Sequence, residues 1–234
     1  MQSKRARLDR FLSVRTGISR RDVRPLLASG RVTLDGRVAT DIQQLVDEFT
    51  HVSLDGEVLQ ANTPRYVMLH KPGGVVSATR DARHRTVVEL LPLSTREGLH
   101  LVGRLDFHTS GLLLLTNDGR WSRRLMTPAA KVQKLYRVVL EHPLSQDYVE
   151  AFAAGMYFGY EDITTRPAQL TIVSERVAHV SLVEGRYHQI KRMFGRFQNP
   201  VVALHRLAVG NLTLDNGLST GQSRALTACE VSTI

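Results

Sequence analysis

The chain has 234 residues, is 42% hydrophobic, and carries 31 Lys/Arg against 22 Asp/Glu, a formal net charge of +9. That length holds one large domain, or a small one beside a medium one, and no apolar run approaches the ~20 residues that a bilayer span needs. A single cysteine, Cys229, excludes an internal disulfide and a cysteine-rich zinc site. The charged start, MQSKRARLDRFL, lacks the apolar core of a secretion signal, so a cytoplasmic location is expected.

An excess of positive charge points to a polyanionic partner, most often nucleic acid. The charge is also clustered. Residues 1–40 hold ten Lys/Arg against three acids, and residues 41–60 hold five acids and no Lys/Arg. The rest of the excess lies beyond residue 60, which makes two basic patches rather than a uniform coat.

In residues 5–16 the spacing of Leu8, Phe11 and Leu12 predicts a helix with Arg7 and Arg10 on its opposite face. Ser19-Arg20-Arg21-Asp22 reads as a capping box opening a second helix that runs to about Ala28 and stops at Gly30. Pro25 falls inside it and predicts a kink or a tight first turn. Short strands follow at 31–34, 37–39 and 50–54, punctuated by the turns Asp35-Gly36 and Asp55-Gly56. Two small helices and a few short strands, with SRRDVRPLLASGRVTLDG at their junction, resemble an S4 RNA-binding domain over about residues 5–60. The resemblance implies that arginines of the helices and their flanks (Arg7, Arg10, Arg20, Arg21, Arg24 and Arg31) face the backbone of structured RNA.

Residues 60–65 read as a linker, which places domains at 1–60 and 61–234. A strand, Tyr66–Leu69, leads into the loop His70-Lys71-Pro72-Gly73-Gly74, and Val75–Ser77 resumes extended structure. A basic loop spans 79–86, and Thr86 is placed to cap a short helix over 87–91. The next stretch, HLVGRLDFHTSGLLLLTNDG at 100–119, contains an apolar run, Leu112–Leu115, between turn signals: a buried strand. At its mouth stands Asp106, two residues from Arg104. From these residues alone Asp106 is either an Asx-type turn residue or a nucleophile or base preorganised by the turn.

Residues 118–126 predict a helix with Trp121 and Leu125 inward, Met126 beside them, and Arg120, Arg123 and Arg124 outward. Lys134–Leu140 alternates as a strand and carries Tyr136 between cations, where the ring serves either as core or as a stacking surface for a base. A helix over about 144–156 and strands at 168–173 and 178–183 precede EGRYHQIKRMF, read as a helix with Ile190, Met193, Phe194 and Phe197 on its apolar face and Lys191 and Arg192 in its first turns. Strand-like segments at 204–207 and 212–214 follow. No GxGxxG, Walker A or HExxH sequence occurs, and the nine histidines show no ligand spacing.

The order HKPGG, GRLDFHTSGLLLLTNDG, KLYRV, EGRYHQIKRMF, LHRLAVGNLTLD behind an S4-like head is similar to that of the RsuA-type pseudouridine synthases. The resemblance implies an α+β protein whose catalytic domain is a mixed, mainly antiparallel sheet with flanking helices. It implies that Asp106 is the nucleophile, that Tyr136 stacks on the uracil, and that Lys191 pairs with the nucleophile and orients it. It further implies that Arg104 and Ile190, with Arg192 and Lys71, bind substrate. Small-subunit members often carry Asp two places beyond the nucleophile, where this chain has His108. Turning uridine into pseudouridine exchanges a C1′–N1 bond for a C1′–C5 bond within one nucleotide, so no cofactor or metal is expected. The expected partner is ribosomal RNA, most simply 16S rRNA in an assembling ribosomal particle, met by a monomer. The alternatives are 23S rRNA as substrate, or a non-catalytic S4-type assembly factor. An RNA glycosidase would want a second carboxylate, and no motif supplies one.

Overall fold

The computed structural model describes residues 5–233 and divides into two compact units, one ending at Pro64 and the other starting at Arg65.

In the first unit, β1 (Ala6–Arg7) leads directly into α1 (Leu8–Thr16), and α2 (Val23–Ala28) follows. The strands β2 (Val32–Leu34), β3 (Arg37–Val38), β5 (Val52–Leu54) and β6 (Glu57–Gln60) form an antiparallel sheet in the order β3-β2-β5-β6, while β4 (Leu45–Val46) pairs with β1. Leu8 and Leu12 of α1, Val23, Leu26 and Leu27 of α2, and Val32, Leu34 and Val52 of the sheet share one apolar core. Asp35-Gly36 and Asp55-Gly56 both adopt positive φ at their two central positions, as two-residue hairpin turns matching strand twist require.

Two local expectations change. The Ser19–Asp22 capping box does not form: the Ser19 hydroxyl donates to the Asp22 carboxylate at 2.7 Å, and Asp22 is itself in the right-handed helical region with no side-chain cap. Pro25 is the third residue of α2, inside the first turn, where its missing N–H would have had no helical partner.

The second unit is built on a nine-stranded sheet. Its strands are β7 (Tyr66–Lys71), β8 (His100–Val102), β9 (Ser110–Thr116), β10 (Lys134–Leu140), β13 (Gln169–Ser174), β14 (Val177–Leu182), β15 (Val201–Val209), β16 (Leu212–Thr213) and β17 (Ser223–Ala225). The main path runs β13-β14-β10-β15-β9-β7-β17, with β16 on β15 and β8 on β9. Only the β9–β15 pair is parallel among the described strands. A small hairpin, β11 (Tyr157–Phe158) with β12 (Ile163–Thr164), stands apart.

The helices α3 (Leu93–Arg96), α4 (Gly119–Met126), α5 (Gln146–Ala154), α6 (Gln189–Gly195) and α7 (Ala228–Ser232) complete the unit. The four leucines of β9 explain the architecture. Leu113 and Leu115 enter the core shared with α5 and α6, while Leu112 and Leu114 enter the core shared with α4 and Trp121. A strand covered on both faces reads as a continuous apolar run rather than an alternation. Where β9 meets β15, Gly111 has φ +111° and lies directly against the Arg206 backbone, leaving no room for a Cβ.

The helix after Asn117 starts as expected: the Asp118 side chain accepts from the N–H groups of Arg120 and Trp121, and the Tyr66 hydroxyl donates to its other oxygen at 2.9 Å. Met126 is 52% exposed rather than inward. Thr86 caps no α-helix; its hydroxyl donates to Glu89 in a short 3₁₀ turn, Val88–Leu90.

Candidate active site

Asp106 lies in the loop 103–109 that joins β8 to β9. The His-Lys-Pro-Gly-Gly segment after β7 scaffolds this loop. The Phe107 carbonyl accepts from Gly74 N at 2.8 Å. The Ser77 hydroxyl donates to the Leu105 carbonyl at 2.7 Å, and Leu105 N donates back to the same hydroxyl. Within the loop, Thr109 N donates to the Asp106 carbonyl at 3.0 Å, a turn made by the backbone rather than by the Asp106 carboxylate.

Lys71 was expected to bind substrate. It is instead fully buried, and its Nζ reaches four carbonyls: Thr109 at 2.8 Å, Pro72 at 2.9 Å, Asp106 at 3.1 Å and Phe107 at 3.3 Å. Among the described residues no acid side chain forms an ion pair with it, so the buried ammonium is satisfied by peptide dipoles. Burial pushes it down to about 8 from the ordinary lysine value, despite the opposing charge of Asp106, and Arg206 adds to the fall. Lys71 therefore ties the Asp106 loop to β7.

Across the pocket stands the start of α6. Lys191 Nζ lies 3.7 Å from one oxygen of Asp106, and His188 Nε2 lies 3.6 Å from the other. His188 precedes the helix in the left-handed region at φ 49°. The buried Gln189 holds this entry: its Oε1 accepts from Arg186 N at 3.0 Å, and its Nε2 donates to Glu184 at 2.7 Å. A small pocket of about 80 Å³ is lined by Arg104, Asp106, Tyr136, His188 and Ile190. A cleft of about 550 Å³, lined by Arg104, Asp106, Tyr136 and Arg186 among others, adjoins it. Tyr136, on β10, and Ile190, on α6, belong to the core and present buried surface to the small pocket.

The structure thus brings together Asp106, Tyr136, Lys191, Arg104 and Ile190. It places Arg192 elsewhere. That guanidinium grips Glu161 at 2.5 and 2.6 Å, lies 3.8 Å above the Phe158 ring, and lines neither cavity. It directly follows Lys191 in α6, and consecutive residues of a helix face different directions. In the first unit, Arg10, Arg20, Arg21 and Arg24 are exposed. Arg7 and Arg31 are exposed too, but each is bridged to a carboxylate, Asp9 at 2.8 Å and Asp55 at 2.5 Å.

The sequence reading missed four cations that line the cleft: Lys134, Arg166, Arg186 and Arg206. Lys134 shares strand parity with Tyr136, a signal that was available. Arg206 sits at core parity between Leu204 and Ala208, opposite Tyr136 in the ladder. Its Nε donates to the Leu112 carbonyl at 2.7 Å, and its Nη2 has no partner among the described residues. Burial, with Arg206 nearby, lowers Lys134. Among the described residues no group of three or more His, Cys, Asp or Glu side chains could hold a metal ion, and no helix is long and apolar enough to cross a membrane.

A carboxylate flanked by a lysine and a histidine, facing an aromatic ring beside a cation-lined cleft, on a mixed sheet of this topology, defines an RNA pseudouridylate synthase. Residues 65–195 match the family model described as RNA pseudouridylate synthase, and residues 6–52 match that of the S4 domain. The chain belongs to the family of ribosomal small subunit pseudouridine synthase A. It is 51% identical over 229 residues to the protein of that name from Pseudomonas aeruginosa, covering 97% of this chain and 100% of the relative. It is 40% identical to the one from Escherichia coli K12, covering 97% and 99%. A solved structure described as a pseudouridylate synthase superposes with a TM-score of 0.71 at 34% identity, covering 97% of this chain and 98% of the other.

Proposed function

We propose that this chain isomerises one uridine of 16S ribosomal RNA to pseudouridine, with Asp106 as the group that attacks the sugar. One observation carries the reading: the Asp106 carboxylate, with no backbone hydrogen bond among the described residues, is held 3.6 Å from His188 and 3.7 Å from Lys191, at a pocket formed in part by Tyr136. The curated relatives, named for the ribosomal small subunit, support the choice of RNA.

The chemistry follows from those positions. A uridine inside a duplex is out of reach, so it is flipped out at a cost of a few kcal/mol. Stacking on Tyr136 and phosphate contacts in the cation-lined cleft offset that cost. Asp106 forms a bond to C1′ as the C1′–N1 bond breaks, or takes a C2′ proton on a glycal route. Lys191 and His188 orient the carboxylate. The detached uracil turns against Tyr136 and Ile190, rebonds through C5, and loses the C5 proton to solvent. Arg10, Arg20, Arg21 and Arg24, exposed on the first unit, hold the RNA backbone. In this reading the chain acts as a monomer in the cytoplasm, on RNA in an assembling particle.

Tritium release from 16S rRNA labelled at uridine C5, with sequencing of the product, tests the reading. The unaltered chain releases tritium at one site. Asp106→Asn binds the RNA within threefold of normal and releases none. An active D106N enzyme removes Asp106 from the reaction, and release only from 23S rRNA replaces the substrate.

A further inference from the structure

We propose that Tyr187, stacked on His188, is a platform for the nucleobase next to the uridine being isomerised. The proposal rests on the reading above and adds a second base-binding surface to it. The two rings are nearly parallel, at 16°, with centroids 4.0 Å apart. His188 in turn lies 3.6 Å from Asp106, so the Tyr187 ring stands one ring thickness beyond a side chain that touches the reacting group. Tyr187 is 73% exposed. One face of its ring is stacked on His188, and most of the side chain is exposed.

An exposed tyrosine usually secures its hydroxyl or packs its ring on the surface. Tyr157, exposed on the same unit, does the first by donating to Asp162 at 2.9 Å. Tyr187 instead borders the cleft beside Arg166 and Arg186, where an RNA strand would find cations for its phosphates. The backbone is arranged to keep it there. His188 holds φ 49°, a conformation that non-glycine residues rarely adopt, and the Arg186 N–H is pinned by Gln189. Flipping one uridine strips its neighbours of a stacking partner. A flat ring beyond the pocket replaces that partner, and it does so without reading the neighbour's identity. The competing role is that Tyr187 only buttresses His188 against Asp106. A buttress acts whatever base lies beside the uridine; a platform acts only when a base is there.

Once sequencing has located the modified uridine, two further RNAs are made, each with one neighbouring nucleotide abasic. On the intact RNA, Tyr187→Ala lowers kcat/KM by about 10–100-fold, the range expected for one base–aromatic stack. Tyr187→Phe, which keeps the flat ring, recovers most of the loss. On one of the abasic RNAs the difference between Tyr187 and Y187A disappears. A Y187A loss under twofold, or an equal loss on all three RNAs, overturns the platform and leaves the buttress.

Binding provides a readout that does not depend on turnover. With D106N, 2-aminopurine placed beside the uridine is quenched, and with D106N carrying Y187A it is not. Equal fluorescence from the two overturns the platform. Absence of pseudouridine from the unaltered chain refutes the isomerase reading separately.

Discussion

Lys71→Met separates what a buried cation does for the site from what it does for the fold. Methionine keeps the length and apolar stem of the side chain and removes the donors. Two of the four carbonyls keep another partner, since Asp106 O accepts from Thr109 N and Phe107 O from Gly74 N. The loss falls on Pro72 and Thr109, at ~1–3 kcal/mol for each buried acceptor, or roughly 2–6 kcal/mol in all. Against this stands the cost of burying the ammonium. The gap between about 8 in the folded chain and the ordinary 10.5 corresponds to about 3 kcal/mol.

At pH 7 the two nearly cancel, so K71M is expected to lie between ~1 kcal/mol more stable and ~3 kcal/mol less stable than the unaltered chain. The difference depends on pH. Between pH 8 and 10.5 the unfolded chain binds this proton and the folded chain does not, so the unaltered protein gains stability with rising pH and K71M does not gain it. The deficit of K71M therefore widens by about 3 kcal/mol across that window. Activity behaves differently: with the Asp106 loop untied from β7, kcat falls by about 100-fold, the scale of a 1 Å misplacement. Urea denaturation at pH 7 and pH 10.5, with single-turnover tritium release, reads all three. A K71M enzyme within threefold in kcat, or a stability difference that ignores pH, would refute the reasoning.

Gly111→Ala places a Cβ on the Arg206 backbone at a φ of +111°, and is expected to cost more than ~3 kcal/mol or to abolish folding, read by circular dichroism and yield of soluble chain. Lys191→Met removes the lysine beside Asp106 and lowers kcat by about 100-fold with little change in RNA affinity; Lys191→Arg recovers part of it, and an unchanged K191M rate removes Lys191 from the site. Replacing Arg10, Arg20, Arg21 and Arg24 together by Gln lowers RNA affinity and flattens its dependence on salt by about 0.7–0.9 in log–log slope per lost phosphate contact. The same change at the ion-paired Arg7 and Arg31 has a smaller effect on the slope, and equal effects would show that the carboxylate bridges open on RNA.

Much of the site was legible because its parts are local. Asp106 was marked by its turn residues, and Tyr136 by the cations beside it in a strand. Lys191 and Ile190 were marked by helical periodicity and by the order of motifs along the chain. The same periodicity could not separate Lys191 from Arg192, because direction around a helix matters only once Glu161 and Phe158 are known to lie on one side and Asp106 on the other. The Ser19–Asp22 signature failed for a related reason: the two side chains satisfied each other before either reached the backbone. Tyr187 carried no signal, since one exposed tyrosine looks like another until the ring behind it is placed.

Short-range pattern alone decided which segments become strands and helices, that β9 is covered on both faces, where the Asp-Gly hairpins turn, and that positive charge gathers at the head of the chain. These are properties of neighbouring residues, set by sterics and by where apolar side chains recur. The tertiary structure alone decided that Lys71 is a tie and not a ligand-binding cation, and that Arg206 is buried beside the cleft. Lys71 meets three of its carbonyls 35 to 38 residues away, and Arg206 meets Leu112 across 94. A charge's role depends on which dipoles close around it, and for these two side chains that enclosure exists only after the sheet has assembled.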